Sequence, residues 1–362
     1  GRLIIAGTSS TMFASSLYFH NVVGYCNNDG LPLWDLRWGG GLILDNCRTF
    51  VGGVLTPTTN RTSTMTTVVG TNGINVGTFG GWDTIQITGS FFERFDVGLN
   101  VDAIAGVVVN DIHISNTYFD YHKTSVMQFN AQTSGTIAAI VIDNCWFASW
   151  EGDAVVFQGP GICRQLAISN CRFVCAGQHG LHLVSGVKDV SVTGCQEAAS
   201  NRTNVNAMGF AIWSGDHITI TGNNVGGDGT WGGFAWQAYA GISLTANIDY
   251  YTITGNTSAG FGVAYDVSPT NTVVSKNRVI ANNVGANYAG NAAITLPASG
   301  TAYTNMQGYS VDVSLYGGTV TVIAKNGTTI TGMTSGTVRL ASGETLTVTY
   351  SVAPSATLFA LP

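Results

Sequence analysis

Charged side chains are scarce in this chain: of 362 residues, 14 are Lys or Arg and 20 are Asp or Glu, for a net charge of −6. No basic stripe is present, which argues against a phosphate-tracking surface, because nucleic-acid binding depends on dense Lys and Arg. No apolar run approaches the roughly 18 residues that span a bilayer, so neither a transmembrane helix nor membrane insertion is expected. Cysteine is sparse and odd in number, seven in all. With no C-x-x-C pair and no His spacing suited to zinc, free buried thiols and no metal are expected. The phosphate loop G-x-x-x-x-G-K-[ST], the zincin helix H-E-x-x-H, an EF-hand and the esterase elbow G-x-S-x-G are all missing. Nucleotide, zincin and esterase chemistry are therefore unsupported, and no cofactor is expected. The opening GRLIIAG has no initiator Met, basic leader or small-residue cleavage site, and reads as a piece cut from a longer chain.

Glycine and apolar residues are plentiful: 47 residues are Gly and 45% of the chain is hydrophobic. That composition cannot stay disordered, and its exterior must be built from Thr, Ser, Asn and Gly. One short phrase recurs along the chain, as DTIQITGSFF (83–92), DIHISNTYF (111–119), AIVIDNCWF (139–147), QLAISNCRF (165–173), DVSVTGCQE (189–197), HITITGNNV (217–225), YYTITGNTS (250–258) and TVVSKNRVI (272–280). The residue after each Asn/Gly corner serves as a marker: Ser90, Thr117, Cys145, Cys171, Cys195, Asn223, Asn256 and Asn277. A period in the twenties with apolar alternation means one strand-bearing coil per repeat, none able to close its own core. Ile85/Ile87, Ile112/Ile114, Ile140/Ile142, Leu166/Ile168, Val190/Val192 and Ile218/Ile220 form the inward set, while Gln86, His113, Val141, Ala167, Ser191 and Thr219 face out.

Phe92, Phe119, Phe147 and Phe173 all stand two residues past the marker, which predicts rings stacked along the axis at the strand spacing of about 4.8 Å. Cys47, Cys145, Cys171 and Cys195 share the marker column as packed thiols, and Asn223, Asn256 and Asn277 continue it as an amide ladder. The expected fold is an all-β, right-handed parallel β-helix over residues 1–290. From 291 to 362 short alternating strands separated by Gly-Gly and Asn-Gly turns predict a small C-terminal β-sandwich, which would cap the last coil.

Aligning the turns after the Phe column gathers acids from neighbouring coils. Glu93 matches Asp120; Asp96, Lys123 and Glu151 match within a one-residue shift; Ser125, Asp153 and His179 line up ahead of the next strand. Together with His122 these predict one patch, suited to glycosidic hydrolysis by two carboxylates. Adjacent coils would set carboxylates near the retaining distance, and alternate coils near the inverting one. The acid and base candidates are Glu93, Asp120, Glu151 and Asp153, with His179 orienting a carboxylate or water. Asp96, His122 and Lys123 would contact substrate. Two insertions, EAASNRTNVNAMG and VGGDGTWGGFAWQAYAG, carry Glu197, Arg202, Asp228, Trp231 and Trp236 and are expected to build a sugar-binding wall, together with Trp150. Phe91, Tyr118 and Trp146 form an outward aromatic column that suits a sugar platform or a subunit interface equally.

The I-x-I-[TSD]-[GN]-[NC] coils from 83 to 279 and the tail PASGTAY…GETLTVTYSVAP (297–354) resemble bacteriophage tailspike and tail-fibre depolymerases, within the pectate-lyase-like superfamily. The resemblance implies a homotrimer on the virion tail that binds and cuts a bacterial surface polysaccharide. A narrower likeness, to polygalacturonases, matches Asp153 to the second Asp of Gly-Asp-Asp, and His179 and Gly180 to Gly-His-Gly. Gly152 and Gln178 depart from that pattern. A polysaccharide lyase using Lys123, His122 or Arg94, and a non-cutting adhesin, are the alternatives to hydrolysis.

Overall fold

The computed structural model describes residues 4–6, 14–26, 30–51, 74–77, 80–149, 151–200, 207–226, 230–231, 234–235, 240–244, 248–259, 263–267, 278–284, 292–305, 310–341 and 343–360. The inward aliphatic residues come into register on parallel strands, Ile85 beside Ile112, Ile140, Leu166, Val190, Ile218 and Tyr251 in turn. All of these are buried, whereas Gln86 and His113 between them are exposed. They belong to the second of three parallel sheets, here called A, B and C. Among the described residues the chain visits these in the repeating order A, B, C, with ten, ten and nine strands. The result is a parallel β-helix whose core runs lengthwise through the tube.

The corner from sheet B to sheet C explains the recurrent Asn or Gly. Asn116, Asn144 and Asn170, and then Gly194, Gly222 and Gly255, all have φ between 49° and 66°. In this left-handed region most side chains meet their own backbone, while Gly and Asn are tolerated. The marker residue that follows turns inward. Cys47, Cys145, Cys171 and Cys195 are free and buried, and the Cys145 and Cys171 thiols donate to the Asp143 and Ser169 carbonyls at 3.2 and 3.1 Å.

The amide ladder follows next. Asn223 Nδ2 donates to Asn256 Oδ1 at 2.9 Å, and Asn256 Nδ2 to Asn283 Oδ1 at 3.0 Å. The rung that follows Asn256 is thus Asn283, whereas Asn277, expected in that place, lies outside the described residues. The repeat there is RVIANNV, with Ile280 opposite Ile253. The Asn282–Asn283 pair supplies the left-handed corner and the ladder amide together.

Phe92, Phe119, Phe147 and Phe173 are fully buried in one column with ring centroids 5.0, 6.1 and 5.2 Å apart; the first pair is stacked at 14°, whereas the next two are tilted by 39° and 51°. The C-terminal strands form two four-stranded antiparallel sheets. Alternating residues Val311, Val313, Leu315, Ile323, Leu346 and Val348 are buried, as a sandwich requires.

Candidate active site

The outer face of sheet C carries the first group. Phe91 stacks on Tyr118 at 5.1 Å and 5° between planes, and Tyr118 stacks on Trp146 at 5.3 Å and 14°. The Arg172 guanidinium caps the stack, 5.5 Å from the Trp146 ring centre. Rings stacked face to face present edges outward, so this column is an apolar rib and its faces are not open to sugar. The stack breaks at its other end, where Phe50 tilts 55° from Phe91 at 6.0 Å. A depression of about 560 Å³ lies there, lined among others by Arg48, Phe50, Phe91, Glu93 and Tyr118.

Glu93 and Asp120 face out beside this rib, directly opposite one another on adjacent strands. Burial, and then the neighbouring Glu93 charge, push the Asp120 carboxyl up to about 6. The Tyr118 hydroxyl bonds to that carboxyl and is itself raised to about 12, by burial and by Asp120. Glu93 is ion-paired with Arg94 at 2.7 Å. The pair thus joins one carboxyl that holds its proton up to about pH 6 with one carboxylate neutralised by a cation.

The corner from sheet C to sheet A separates these two acids from the rest of the predicted patch. Arg94, Tyr121, Cys175 and Ala199 adopt φ of 53° to 66° there. Strict alternation would turn His122 outward, towards substrate. The left-handed Tyr121 and a register shift after Phe119 break that alternation. His122 is fully buried inside the tube, with burial lowering its pKa to about 3. It faces Gly98, where a Cβ would come 2.9 Å from the ring. His122 is therefore a core residue and has no route to substrate.

Asp96 also lies inside, 4% exposed, with its carboxylate taking the Thr124 hydroxyl. It aligns with Thr124, one position off Lys123. Lys123 faces Glu151 instead, through a backbone bond of 2.8 Å from Glu151 N to Lys123 O. Both of these side chains are partly exposed.

The second group lies on the outer side of sheet A. Asp153 Oδ1 accepts from the His179 backbone N–H at 2.9 Å, and Oδ2 bonds to His182 Nδ1 at 2.7 Å. Both oxygens are engaged, so Asp153 acts here as an organiser and is poorly placed as a free acid or base. His182, three residues beyond His179, is its partner. The His179 and His182 rings lie 4.3 Å apart, and Trp213 sets its edge against both.

Asp153, His179 and His182 offer ligand atoms within 4.8 Å of one another. However, His179 Nδ1 accepts the Met208 N–H at 2.9 Å, which puts the ring proton on Nε2. A ring in that tautomer has no lone pair left for a metal, so the donor set does not suit one. Burial lowers the His179 pKa to about 4 and keeps it neutral.

Glu197, expected in an exposed loop wall, is fully buried opposite Phe173. It stands two residues past the marker Cys195, in the Phe column, and counting along that column locates it. Gly180 and Gly209 leave room for it, since a Cβ on either would lie 3.0 Å from its side chain. Burial raises its pKa from 4.5 to about 7. The folded state therefore binds this proton more tightly than the unfolded chain. The stability it contributes is complete below about pH 4.5 and is lost as pH rises towards about 7, roughly 3 kcal/mol in all. Glu197→Gln is expected to flatten that slope and to exceed the wild type in stability above about pH 7. Urea denaturation of both proteins across that range checks it, and parallel curves would contradict it.

Trp150, Arg202, Asp228 and Trp236 lie outside the described residues, and for Trp231 only the backbone is described, in a hairpin with Phe234. No protein-family model and no curated protein matches the chain. Among solved structures, the chain is similar to the tailspike protein gp49 of the Acinetobacter baumannii bacteriophage Fri1, described as a capsular polysaccharide depolymerase. The identity is 12% over 97% of this chain and 85% of that one, with a TM-score of 0.26. At that score the likeness carries nothing about fold, reaction or substrate.

Proposed function

We propose that this protein is a phage-type tailspike depolymerase that hydrolyses a bacterial surface polysaccharide at the Glu93–Asp120 pair. The observation that carries the reading is the juxtaposition of those acids on adjacent strands, one proton-bearing and one ion-paired, beside a depression lined by apolar rings. Adjacent strands sit about 4.8 Å apart, close to the roughly 5 to 5.5 Å between the carboxyls of retaining glycosidases. Asp120 donates its proton to the glycosidic oxygen as that bond breaks, and Glu93 attacks the anomeric carbon to form a glycosyl ester. Asp120, now a carboxylate, takes a proton from water, which displaces Glu93 and regenerates both groups.

Of the bases that elimination would need, His122 is in the core and Arg94 is paired with Glu93, while Lys123 is partly exposed and keeps elimination as the alternative reading. Hydrolysis predicts new reducing ends without the ultraviolet absorbance of an unsaturated uronate. Because Asp120 must be protonated to act, activity is expected to fall about tenfold per pH unit above about pH 6. A pH–rate profile flat from 5 to 8 would remove Asp120 as the acid.

The coil and tail motifs that resemble phage tailspikes support a virion-tail location and a homotrimer. Small apolar groups on the outer face of sheet B, Val141 and Ala167, suit packing between subunits. Sedimentation at micromolar concentration tests the assembly, and a monomer there would count against it. The C-terminal sandwich fits a role as cap or trimerisation element.

A further inference from the structure

We infer that the polysaccharide bound along sheet C carries carboxylated sugars, held at Arg48 and Arg172. This rests on the proposal that the outer face of sheet C takes a glycan. The chain has only 14 Lys and Arg against 20 acids, yet three arginines, Arg48, Arg94 and Arg172, stand on this face or at its edge. Arg48, Phe91, Tyr118, Trp146 and Arg172 are in register on five consecutive strands. An arginine therefore closes the aromatic rib at each end, four strand spacings apart, about 19 Å.

The two arginines also flank the acid pair, Arg48 one strand before Glu93 and Arg172 two strands beyond Asp120. Arg94 is committed to Glu93. Arg172 is fixed at its Nε, which donates to Gln196 Oε1 at 2.9 Å, and at its planar face, which lies over Trp146. A guanidinium anchored in this way presents its terminal N–H fork in a set direction, the geometry that pairs with a carboxylate. Arg48 lines the depression that Glu93 also lines.

At the two ends of the rib the strands of Arg48 and Arg172 carry no acid, so each end offers a cation to a polyanion that the net negative charge of the molecule otherwise repels. A neutral glycan, read through hydroxyls, has no use for such a cation.

The test uses the whole protein and a panel of purified capsular polysaccharides of known composition, with and without uronic acids. The polymer that binds is then compared with its own carboxyl-reduced form. Binding is expected for uronate-bearing polymers and is expected to weaken at least tenfold on carboxyl reduction. Arg48→Gln and Arg172→Gln, both at exposed positions, should each weaken binding of the native polymer about tenfold, the scale of one charge-assisted hydrogen bond. The loss should shrink below about twofold on the reduced polymer.

Equal affinity for native and reduced polymer, or preference for neutral or phosphate-bearing polymers without carboxylates, overturns the inference. Cleavage that continues on the reduced polymer would then leave the hydrolase reading standing. Carboxylate-dependent binding without any new reducing ends does the reverse. Retention of no polymer in the panel overturns both.

Discussion

Asp120→Asn is expected to lower the release of reducing ends by about 10²–10⁴-fold, the usual contribution of a general acid, and to abolish the pH dependence that remains near neutrality. Glu93→Gln should cost at least as much, because no covalent intermediate can form. Both side chains face outward on sheet C, so the amide variants should fold, and glycan binding should persist in each. The result is informative because the alternative centre is nearby in sequence. If Asp153→Asn removes activity while Glu93→Gln and Asp120→Asn retain it, the reaction belongs to the Asp153–His182 group on sheet A. Asp153→Asn acts in any case on structure, since its two oxygens hold the His179 N–H and the His182 ring.

Phe147→Ala should destabilise the β-helix by about 3–5 kcal/mol, the range for removing a buried aromatic side chain. Its ring is fully buried and sits 6.1 Å from Phe119 and 5.2 Å from Phe173. In a solenoid each coil is stabilised through its neighbours, so a cavity in the middle of the stack weakens the coupling between the two halves. Calorimetry is expected to record a lower melting temperature together with a broadened or split transition. A loss below about 1 kcal/mol would mean that the Phe column bears little of the load.

The columns were legible because each rests on a local rule that repeats. An Asn or Gly corner fixes one left-handed residue per coil, period-two alternation assigns inside and outside, and hydrogen-bonded register brings equal positions together. Glu93 and Asp120 fall within four residues of that corner and were placed by counting alone. Further along, the count fails for a physical reason. Tyr121 takes a left-handed conformation that no Gly or Asn announces, and one such residue moves His122 from the surface to the core. Asp96 slips one position against Lys123 in the same way. Glu197 was hidden by its neighbours, because the loop text that follows it drew it outward, although its count from Cys195 put it in the Phe column.

The sequence by itself determined the parallel β-helix, the sandwich that follows it, the thiol column, the amide ladder as far as Asn256 and the pairing of Glu93 with Asp120, because all of these follow from backbone periodicity. Only the tertiary structure decided which acids are available to act. It buried Asp96 and Glu197, tied both oxygens of Asp153 to histidines, and left Asp120 raised beside Glu93. It also made the aromatic column, which the sequence left equally open to a sugar platform or a subunit interface, a rib of edges closed by arginines. Availability depends on burial, on neighbouring charge and on the angle between rings, which are set by contacts between coils some twenty to thirty residues apart, and no local pattern records them.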